Sequence, residues 1–306
     1  MSTIKPELAE FLASVTKENA VMTPITMREG STLTAKMQEL PKVPLARIVD
    51  TVLDNCGEYD VPVRIYLPVE NQPLKVVIFY HGGGFAVSNV SDYDIVCRRL
   101  AKAANAIVIS PEYRLAPENK YPAANIDALA TARRIFPKLD KLGIPYQEDL
   151  SVSGDSAGGY LATVVSQALQ DDPSLPLTHQ LLIYPCLDFT CSYPSIQENA
   201  NVQTGFTKEK LRWYFDAYFH TDDDRKAAST LFGKLTANMP ATLVITTDFC
   251  PFRDEALAYA RRLQEKGVRV ETHKYDNVVH RYINFEKTCY DEICDTYARM
   301  AAFLNA

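Results

Sequence analysis

The sequence predicts an α/β fold in which a mainly parallel central sheet is flanked by helices. Short apolar, β-branched runs alternate with amphipathic stretches of helical spacing through most of the 306 residues. Runs of this kind suit strands that are buried on both faces, and their alternation with helices is typical of parallel sheets. Two glycine clusters follow directly after such runs and mark sharp backbone turns at strand ends.

The elements are predicted as follows along the chain. Helical spacing covers roughly the first forty residues, up to the proline-marked LPKVPLARI. RIVDTVLDN and YDVPVRIYLP then predict an antiparallel pair of strands joined near Gly57. From there strands alternate with helices, and the strand patterns are KVVIFY, AIVIS, LSVSG, QLLIYP, ATLVITT and VRVETHKY. A final helix ends the chain.

One long segment interrupts this alternation and contains the helical pattern KEKLRWYFDAYF and the single tryptophan. We therefore expect N-terminal cap helices over residues 1–45, a core over residues 46–186 and 236–306, and a cap insertion over residues 187–235. Helix packing is the ordinary explanation for the aromatic residues of the insertion. As a functional alternative, Trp213, Phe215 and Phe219 are candidates to line an acyl pocket.

Composition excludes several classes of protein. The net charge of −6, with no stripe of lysine and arginine, argues against a general nucleic-acid binder. The N-terminal sequence lacks the basic start and apolar run of a signal peptide, and no stretch approaches the ~18 apolar residues of a membrane span. We expect a cytoplasmic protein without membrane insertion. The 7 cysteines are scattered without metal-ligand spacing, so reduced thiols are expected and a zinc site is not.

The stretch SVSGDSAGGYLATVV predicts a nucleophile elbow around Ser156. The pattern G-x-S-x-G lies here between a predicted strand and a predicted helix, which is the context that such an elbow requires. The following helix directs its N-terminus, and therefore its favourable dipole, at the serine. The alternative is that Ser156 is only a helix N-cap in a tight turn.

The second glycine cluster, HGGGF, predicts an oxyanion hole. Backbone N–H groups of consecutive glycines can face a developing oxyanion because no side chain obstructs them. The predicted donors are Gly83 and Gly84, joined by the N–H of Ala157. A phosphate-binding loop is the rival interpretation, but no G-K-[ST] follows either cluster. His81 beside this turn is expected to fix the loop by hydrogen bonding.

A serine nucleophile needs a base, and His280 is the best placed of the 5 histidines. It follows the last predicted strand and precedes the last helix. His179 opens a strand, His220 lies in the insertion and His273 lies inside a strand, so structural roles are expected for these three.

Five stretches in this order, HGGGF, EYRLAPENKYPA, GDSAGG, IYPCLD and RDE, resemble the hormone-sensitive lipase family of α/β-hydrolase carboxylesterases. The similarity runs from about Arg47 to the C-terminus. It implies the α/β-hydrolase fold and hydrolysis of short-chain carboxylic esters through an acyl-enzyme, without metal or organic cofactor. It also implies the site roles assigned above: nucleophile for Ser156, base for His280, and oxyanion donors for the three N–H groups.

The chain departs from that family at two places. Arg281 and Tyr282 follow the histidine where Gly-Phe is usual, so space near the base is altered. In the family the triad acid lies in a stretch like E-Y-D-P-L-R-D-E, and aligning DFCPFRDE with it puts Cys250 where the aspartate should be. A neutral thiol is a weak acceptor and a poor substitute for a carboxylate.

Three carboxylates are candidates to replace the missing acid. Asp248 is the first choice because in extended chain it would point to the same face as Cys250. Asp254, in the first turn of the next helix, and Asp188, after the neighbouring strand, are the others. The remaining alternatives are that no carboxylate reaches His280, or that a Cys250 thiolate pairs with protonated His280, which would consume the base.

The sequence therefore predicts a serine carboxylesterase whose partner is a small-molecule ester. The alternative is a catalytically impaired, ligand-binding protein with a hydrolase fold, which the cysteine at the acid position would favour. No nucleic-acid partner is expected, and no pattern specifies an oligomeric state.

Overall fold

The computed structural model describes residues 2–16, 21–55, 59–175 and 177–306, which form an eight-stranded sheet with helices on both faces. Free thiols are found at all of the described cysteines. In chain order the strands are β1 (Arg47–Leu53), β2 (Val61–Leu67), β3 (Leu74–Tyr80), β4 (Ile107–Pro111), β5 (Tyr146–Asp155), β6 (Leu177–Ile183), β7 (Ala241–Phe249) and β8 (Val270–Val279).

The strand order across the sheet is β1-β2-β4-β3-β5-β6-β7-β8. β2 runs antiparallel to both β1 and β4, and every other neighbouring pair is parallel. The predicted mainly parallel sheet with an antiparallel first pair is confirmed. The predicted turn near Gly57 lies outside the described residues.

The helices alternate with the strands from β3 onward, as the spacing predicted. They are α1 (Pro6–Val15), α2 (Pro24–Gln38), α3 (Asp94–Ala104), α4 (Ala123–Leu142), α5 (Ala157–Leu169), α6 (Pro194–Asn199), α7 (Lys208–Tyr218), α8 (Arg225–Ala228), α9 (Arg253–Gln264) and α10 (Tyr290–Leu304). None of them, within the described chain, combines the length and apolar character that crossing a bilayer requires.

The sheet positions the site because its central strands are buried and parallel. All residues of β4, and all of β3 except Lys75, are buried, which explains their continuous apolar runs. The carboxyl ends of parallel strands meet at one edge of the sheet. The loops after β3, β5, β7 and β8 therefore lie close together, and they carry both glycine clusters, Cys250 and His280.

Residues from the N-terminal helices and from the segment between β6 and β7 contact these loops. Arg28 of α2 donates to the carbonyl of Ala86, just after the first glycine cluster. Phe85 stacks on Tyr218 of α7 with ring centroids 3.8 Å apart. These contacts place α2 and α7 against the loop that follows β3.

Candidate active site

Ser156 occupies a strained turn between β5 and α5. Its φ of 55° and ψ of −119° lie in a region that residues with a Cβ rarely adopt. The turn packs so tightly that a Cβ on Gly158 would lie 1.9 Å from the carbonyl oxygen of Tyr80. A Cβ on Gly154 would lie 2.4 Å from the backbone of Gly158. The predicted strand, turn and helix around Ser156 are confirmed, and sterics explain why the flanking residues are glycines.

His280 lies against Ser156 directly after β8. Its Nε2 is 2.9 Å from Ser156 Oγ, and both residues are buried, with exposed fractions of 4% and 8%. Burial, assisted by the neighbouring Arg281, lowers the pKa of His280 to about 3. The imidazole is therefore neutral at ordinary pH and can accept a proton.

The loop after β3 brings backbone N–H groups to the same place. Gly83 and Gly84 have φ values of 121° and 57°, which favour glycine. Gly84 and Ser156 line one cavity together with Ala157, and Gly83 lines a second cavity with Ser156. Across the described part of the chain, no acceptor bonds to the N–H of Gly83, Gly84 or Ala157. Three donors thus remain available beside Ser156 Oγ.

Asp155 connects the serine turn to the glycine loop. One of its oxygens accepts from the backbone N–H of Gly82 at 2.7 Å, and the other accepts from Tyr93 at 3.0 Å and Tyr184 at 3.4 Å. Burial raises the pKa of Asp155 to about 6, against the lowering effect of these donors. The buried carboxylate therefore holds the two halves of the candidate oxyanion hole in register.

Cys250 faces Nδ1 of His280, on the opposite side of the imidazole ring from Ser156. Its Sγ lies 3.2 Å from Nδ1 of His280, and the N–H of Phe252 donates to the same sulfur at 3.3 Å. The side chain is 0% exposed, and burial raises the pKa of the thiol far above neutrality. The group facing Nδ1 is thus a neutral thiol, which accepts hydrogen bonds weakly.

The expectation that Asp248 replaces the acid is wrong. Its carboxylate accepts from the hydroxyl of Ser2 at 2.5 Å and forms an ion pair with Lys274 on the adjacent strand β8. That lysine holds Asp248 away from the imidazole, whose Nδ1 faces Cys250 instead.

The other two acid candidates are also engaged elsewhere. Asp188 accepts from the hydroxyls of Thr190 and Ser192, and Asp254 accepts from the N–H of Ser195 at 3.0 Å. Within the described residues, no carboxylate bonds to the histidine at the site.

The remaining histidines contact residues other than the serine. His81 is buried, with Nδ1 2.8 Å from the carbonyl of Gly82 and its ring stacked on Tyr113. Burial lowers its pKa to about 4. This supports the loop-fixing role expected of it. His179 lies 2.8 Å from Thr178, His273 lies 3.7 Å from Asp295, and His220 is exposed.

Two cavities meet at Ser156. The first, here called the polar pocket, has among its lining residues His280, Thr204, Lys210, Arg281, Leu12 and Gly83. The second, here called the apolar pocket, is lined beside Ser156 and Ala157 by Cys186, Phe206, Leu211, Tyr214, Phe215 and Phe252.

Of the three aromatic candidates for an acyl pocket, the structure places Phe215 in the wall of the apolar pocket. Trp213 packs on Tyr214, and Phe219 packs on Phe189.

The segment that forms this site is shared with known proteins. Residues 77–284, which hold both glycine clusters, the serine and the histidine, match the family described as alpha/beta hydrolase fold. The chain belongs to this α/β-hydrolase family. The carboxylesterase NlhH of Mycobacterium tuberculosis (strain H37Rv) is 35% identical over 248 residues, covering 79% of this chain and 77% of the relative.

Two further relatives extend the match over nearly the whole chain. The arylesterase of Saccharolobus solfataricus is 28% identical over 294 residues, covering 93% of this chain and 94% of the relative. The solved structure of a hyperthermophilic esterase from the archaeon Pyrobaculum calidifontis gives a TM-score of 0.91 at 34% identity, covering 99% and 98% of the two chains.

The resemblance to the hormone-sensitive lipase group is confirmed, and the chain is a carboxylic ester hydrolase of the α/β-hydrolase fold. These relatives, named as carboxylesterase or esterase, lend no support to the alternative of an impaired ligand-binding protein.

Sequence reasoning missed two features of the site. Asp155 lies beside the serine inside the glycine cluster GDSAGG, and this position was the available signal. Lys210 of α7 reaches the polar pocket from a segment that has no recognisable motif, so the sequence carried no signal for it.

Proposed function

We propose that this protein is a serine carboxylesterase that hydrolyses short-chain esters through an acyl-enzyme intermediate. The observation that carries the proposal is the 2.9 Å contact between Ser156 Oγ and His280 Nε2. A hydroxyl and a neutral imidazole at this distance are the pairing that general-base activation of a nucleophile requires.

In the proposed reaction, Ser156 Oγ attacks the ester carbonyl while His280 Nε2 takes the hydroxyl proton. The carbonyl oxygen becomes an oxyanion, which the N–H groups of Gly83, Gly84 and Ala157 stabilise. The tetrahedral intermediate then collapses, and His280 gives its proton to the leaving alcohol. A water molecule, deprotonated by the same imidazole, hydrolyses the acyl-enzyme and releases the acid.

The neutral thiol of Cys250 is expected to limit the rate of this reaction. Each proton transfer passes through an imidazolium, which a carboxylate at Nδ1 would stabilise. A neutral thiol contributes little of that charge stabilisation, and burial disfavours the imidazolium further. We therefore expect a slow hydrolase whose rate depends mainly on the nucleophile and the oxyanion donors.

The apolar pocket supports a preference for small acyl groups. Aromatic rings of Phe206, Tyr214, Phe215 and Phe252 close it around Ser156. We infer that residues 1–45 and 187–235 act as a cap over residues 46–186 and 236–306, because α1 and α7 contribute lining residues to the two cavities.

The proposed function is tested with a chromogenic short-chain ester. We expect Ser156→Ala to abolish turnover above the uncatalysed background. Ser153→Ala is a matched control because Ser153 is a buried serine on β5 whose hydroxyl bonds to the carbonyl of Leu181. It should retain activity. Equal rates in wild type and Ser156→Ala would overturn the proposal.

The cytoplasmic location stays a prediction, which imaging of the tagged protein would test.

A further inference from the structure

Two cations line the polar pocket, although a neutral ester offers them no partner. Lys210 is partly buried, and among the described residues its Nζ donates only to the carbonyl of Gly205, at 3.2 Å. Arg281 donates to the carbonyl and the hydroxyl of Ser31, at 3.3 and 2.9 Å. Within the described chain, neither cation has a carboxylate within the 4.0 Å of an ion pair.

The acidic groups around the pocket are engaged elsewhere. Asp155 lines it and feels the charge of Arg281, but this carboxylate already accepts three hydrogen bonds from the groups described above. Asp92 feels the charge of Arg281, yet it bonds to Thr32 at 2.9 Å and to Asn89 at 3.2 Å. Burial and the charge of Arg281 together lower the pKa of Lys210 to about 8. Two like charges are therefore held near each other in a partly desolvated cavity, an arrangement that an anion would stabilise.

The backbone at Arg281 gives a second, independent indication. Its φ is 76°, in the left-handed region that glycine adopts without strain. A residue with a Cβ is strained in this conformation, and backbone strain beside the proposed base points to a function for the side chain that it positions. The strained backbone conformation of Arg281 places this residue in the lining of the polar pocket.

We propose that the polar pocket binds an anionic group, a carboxylate or a phosphate, on the leaving alcohol of the ester, with Lys210 and Arg281 as its ligands. The alcohol side follows from the chemistry, because the leaving oxygen must receive its proton from His280. That histidine lines the polar pocket and is absent from the wall of the apolar pocket. This inference rests on the proposed serine-esterase function and specifies its substrate class.

The test compares three acetyl esters whose alcohols are meta-hydroxybenzoate, meta-hydroxyphenyl phosphate and the neutral meta-hydroxybenzamide. For each one, kcat/KM is measured in wild type, Lys210→Met and Arg281→Gly. We expect the anionic-to-neutral ratio of kcat/KM to fall roughly tenfold in each variant, the loss typical of one charged hydrogen bond. The anion whose ratio falls further is the better match to the pocket.

The controls separate this proposal from the function on which it rests. Lys208→Met makes the same change two residues earlier on α7, at an exposed position, and should leave the ratio unchanged. Arg281→Gly suits the left-handed backbone, and turnover of the neutral ester shows that each variant is folded. An unchanged ratio in both pocket variants, with the neutral ester still hydrolysed, overturns the proposal. Failure of wild type to hydrolyse any of the esters contradicts the proposed function instead.

Two further measurements test whether the anion is bound on the alcohol side of the ester. Phenyl hemisuccinate carries its anion on the acyl side, and a variant effect confined to this ester would contradict the assignment to the alcohol. In wild type alone, meta-hydroxybenzoate should inhibit hydrolysis of the neutral ester more strongly than meta-hydroxybenzamide does. Equal inhibition by the two alcohols would also overturn the proposal.

Discussion

The two halves of the site are built on different principles. The half that holds the proposed nucleophile, here called the nucleophile half, comprises residues 80–87 and 154–159. It owes its geometry to backbone, because glycines permit contacts that a Cβ would block. The base half, residues 248–252 and 279–282, depends on side chains that pack around one imidazole. The backbone-determined half matches the family pattern closely, whereas the side-chain-determined half carries both departures, Cys250 and Arg281.

The comparison explains which parts of the mechanism can vary. Replacing a glycine of the nucleophile half moves backbone and destroys the geometry. Replacing the acid by Cys250 keeps the histidine in place, since the sulfur still lies 3.2 Å from Nδ1. A neutral residue can therefore replace the carboxylate of the base half while the imidazole of His280 keeps its position.

The largest expected effect comes from restoring the charge. Cys250→Asp should raise kcat by roughly a hundredfold to ten-thousandfold, because disabling the acid in serine proteases costs about ten-thousandfold. The N–H of Phe252, which now bonds to the sulfur, is positioned to bond to the carboxylate. The measurement is kcat on a chromogenic short-chain ester.

Cys250→Ser is the matched control for that gain, because it keeps a small neutral group beside the imidazole. Its kcat should stay within a few-fold of wild type, since a hydroxyl adds no charge. Equal rates in wild type, Cys250→Ser and a folded Cys250→Asp would show that the base half does not limit turnover.

Gly84→Ala tests the proposed oxyanion donors of the nucleophile half. A Cβ there would lie 2.3 Å from the ring of Tyr214, on a residue with φ of 57°. Displacing one oxyanion donor should lower kcat roughly a hundredfold to a thousandfold. Gly143→Ala introduces a Cβ at a similar φ of 62° where nothing lies within 4 Å. It should lose stability in thermal unfolding but keep kcat, and an equal loss of kcat in both variants would count against the oxyanion assignment.

The pH dependence of kcat/KM should differ between wild type and Cys250→Asp. A base must be neutral, so activity is lost as pH falls through its pKa, and burial places the pKa of His280 at about 3. The imidazole should therefore contribute no acid limb to the wild-type kcat/KM between about pH 5 and pH 8, and any fall near pH 6 belongs to Asp155, whose pKa burial raises to about 6. A carboxylate at position 250 raises the pKa of the imidazole, so Cys250→Asp should shift the limb upward by at least about one unit. Identical profiles of the two proteins, measured down to about pH 3 where the wild-type limb lies, would contradict the account.

The smallest effect is expected from Asp248→Asn. Its carboxylate pairs with Lys274, away from the imidazole, so kcat should stay within about twofold of wild type. The lost ion pair, which is partly solvated, should reduce the free energy of unfolding by about 0–1 kcal/mol in urea titrations. A loss of kcat as large as that of Gly84→Ala would return Asp248 to the catalytic machinery.

The fold and half of the site were predictable from sequence for a physical reason. Buried parallel strands and glycine turns leave local patterns, and these patterns predicted the turn at Ser156 and the glycine loop after β3. The family resemblance put Cys250 at the acid position, but whether Asp248 replaces it at His280 was not predictable, because an extended strand allows both side chains the same face. An ion pair to Lys274, a residue distant in sequence, decides between them. The position of Lys210 in the polar pocket was also not predictable, because only tertiary packing brings α7 to the pocket.

Covalent labelling tests the central claim, that Ser156 is the nucleophile activated by His280, most directly. The protein is incubated with a fluorophosphonate and digested, and the modified peptide is identified by mass spectrometry. The account predicts one adduct, on Ser156, that is absent in Ser156→Ala and forms much more slowly in His280→Ala. An adduct on another residue, or no adduct on folded wild-type protein, would contradict it.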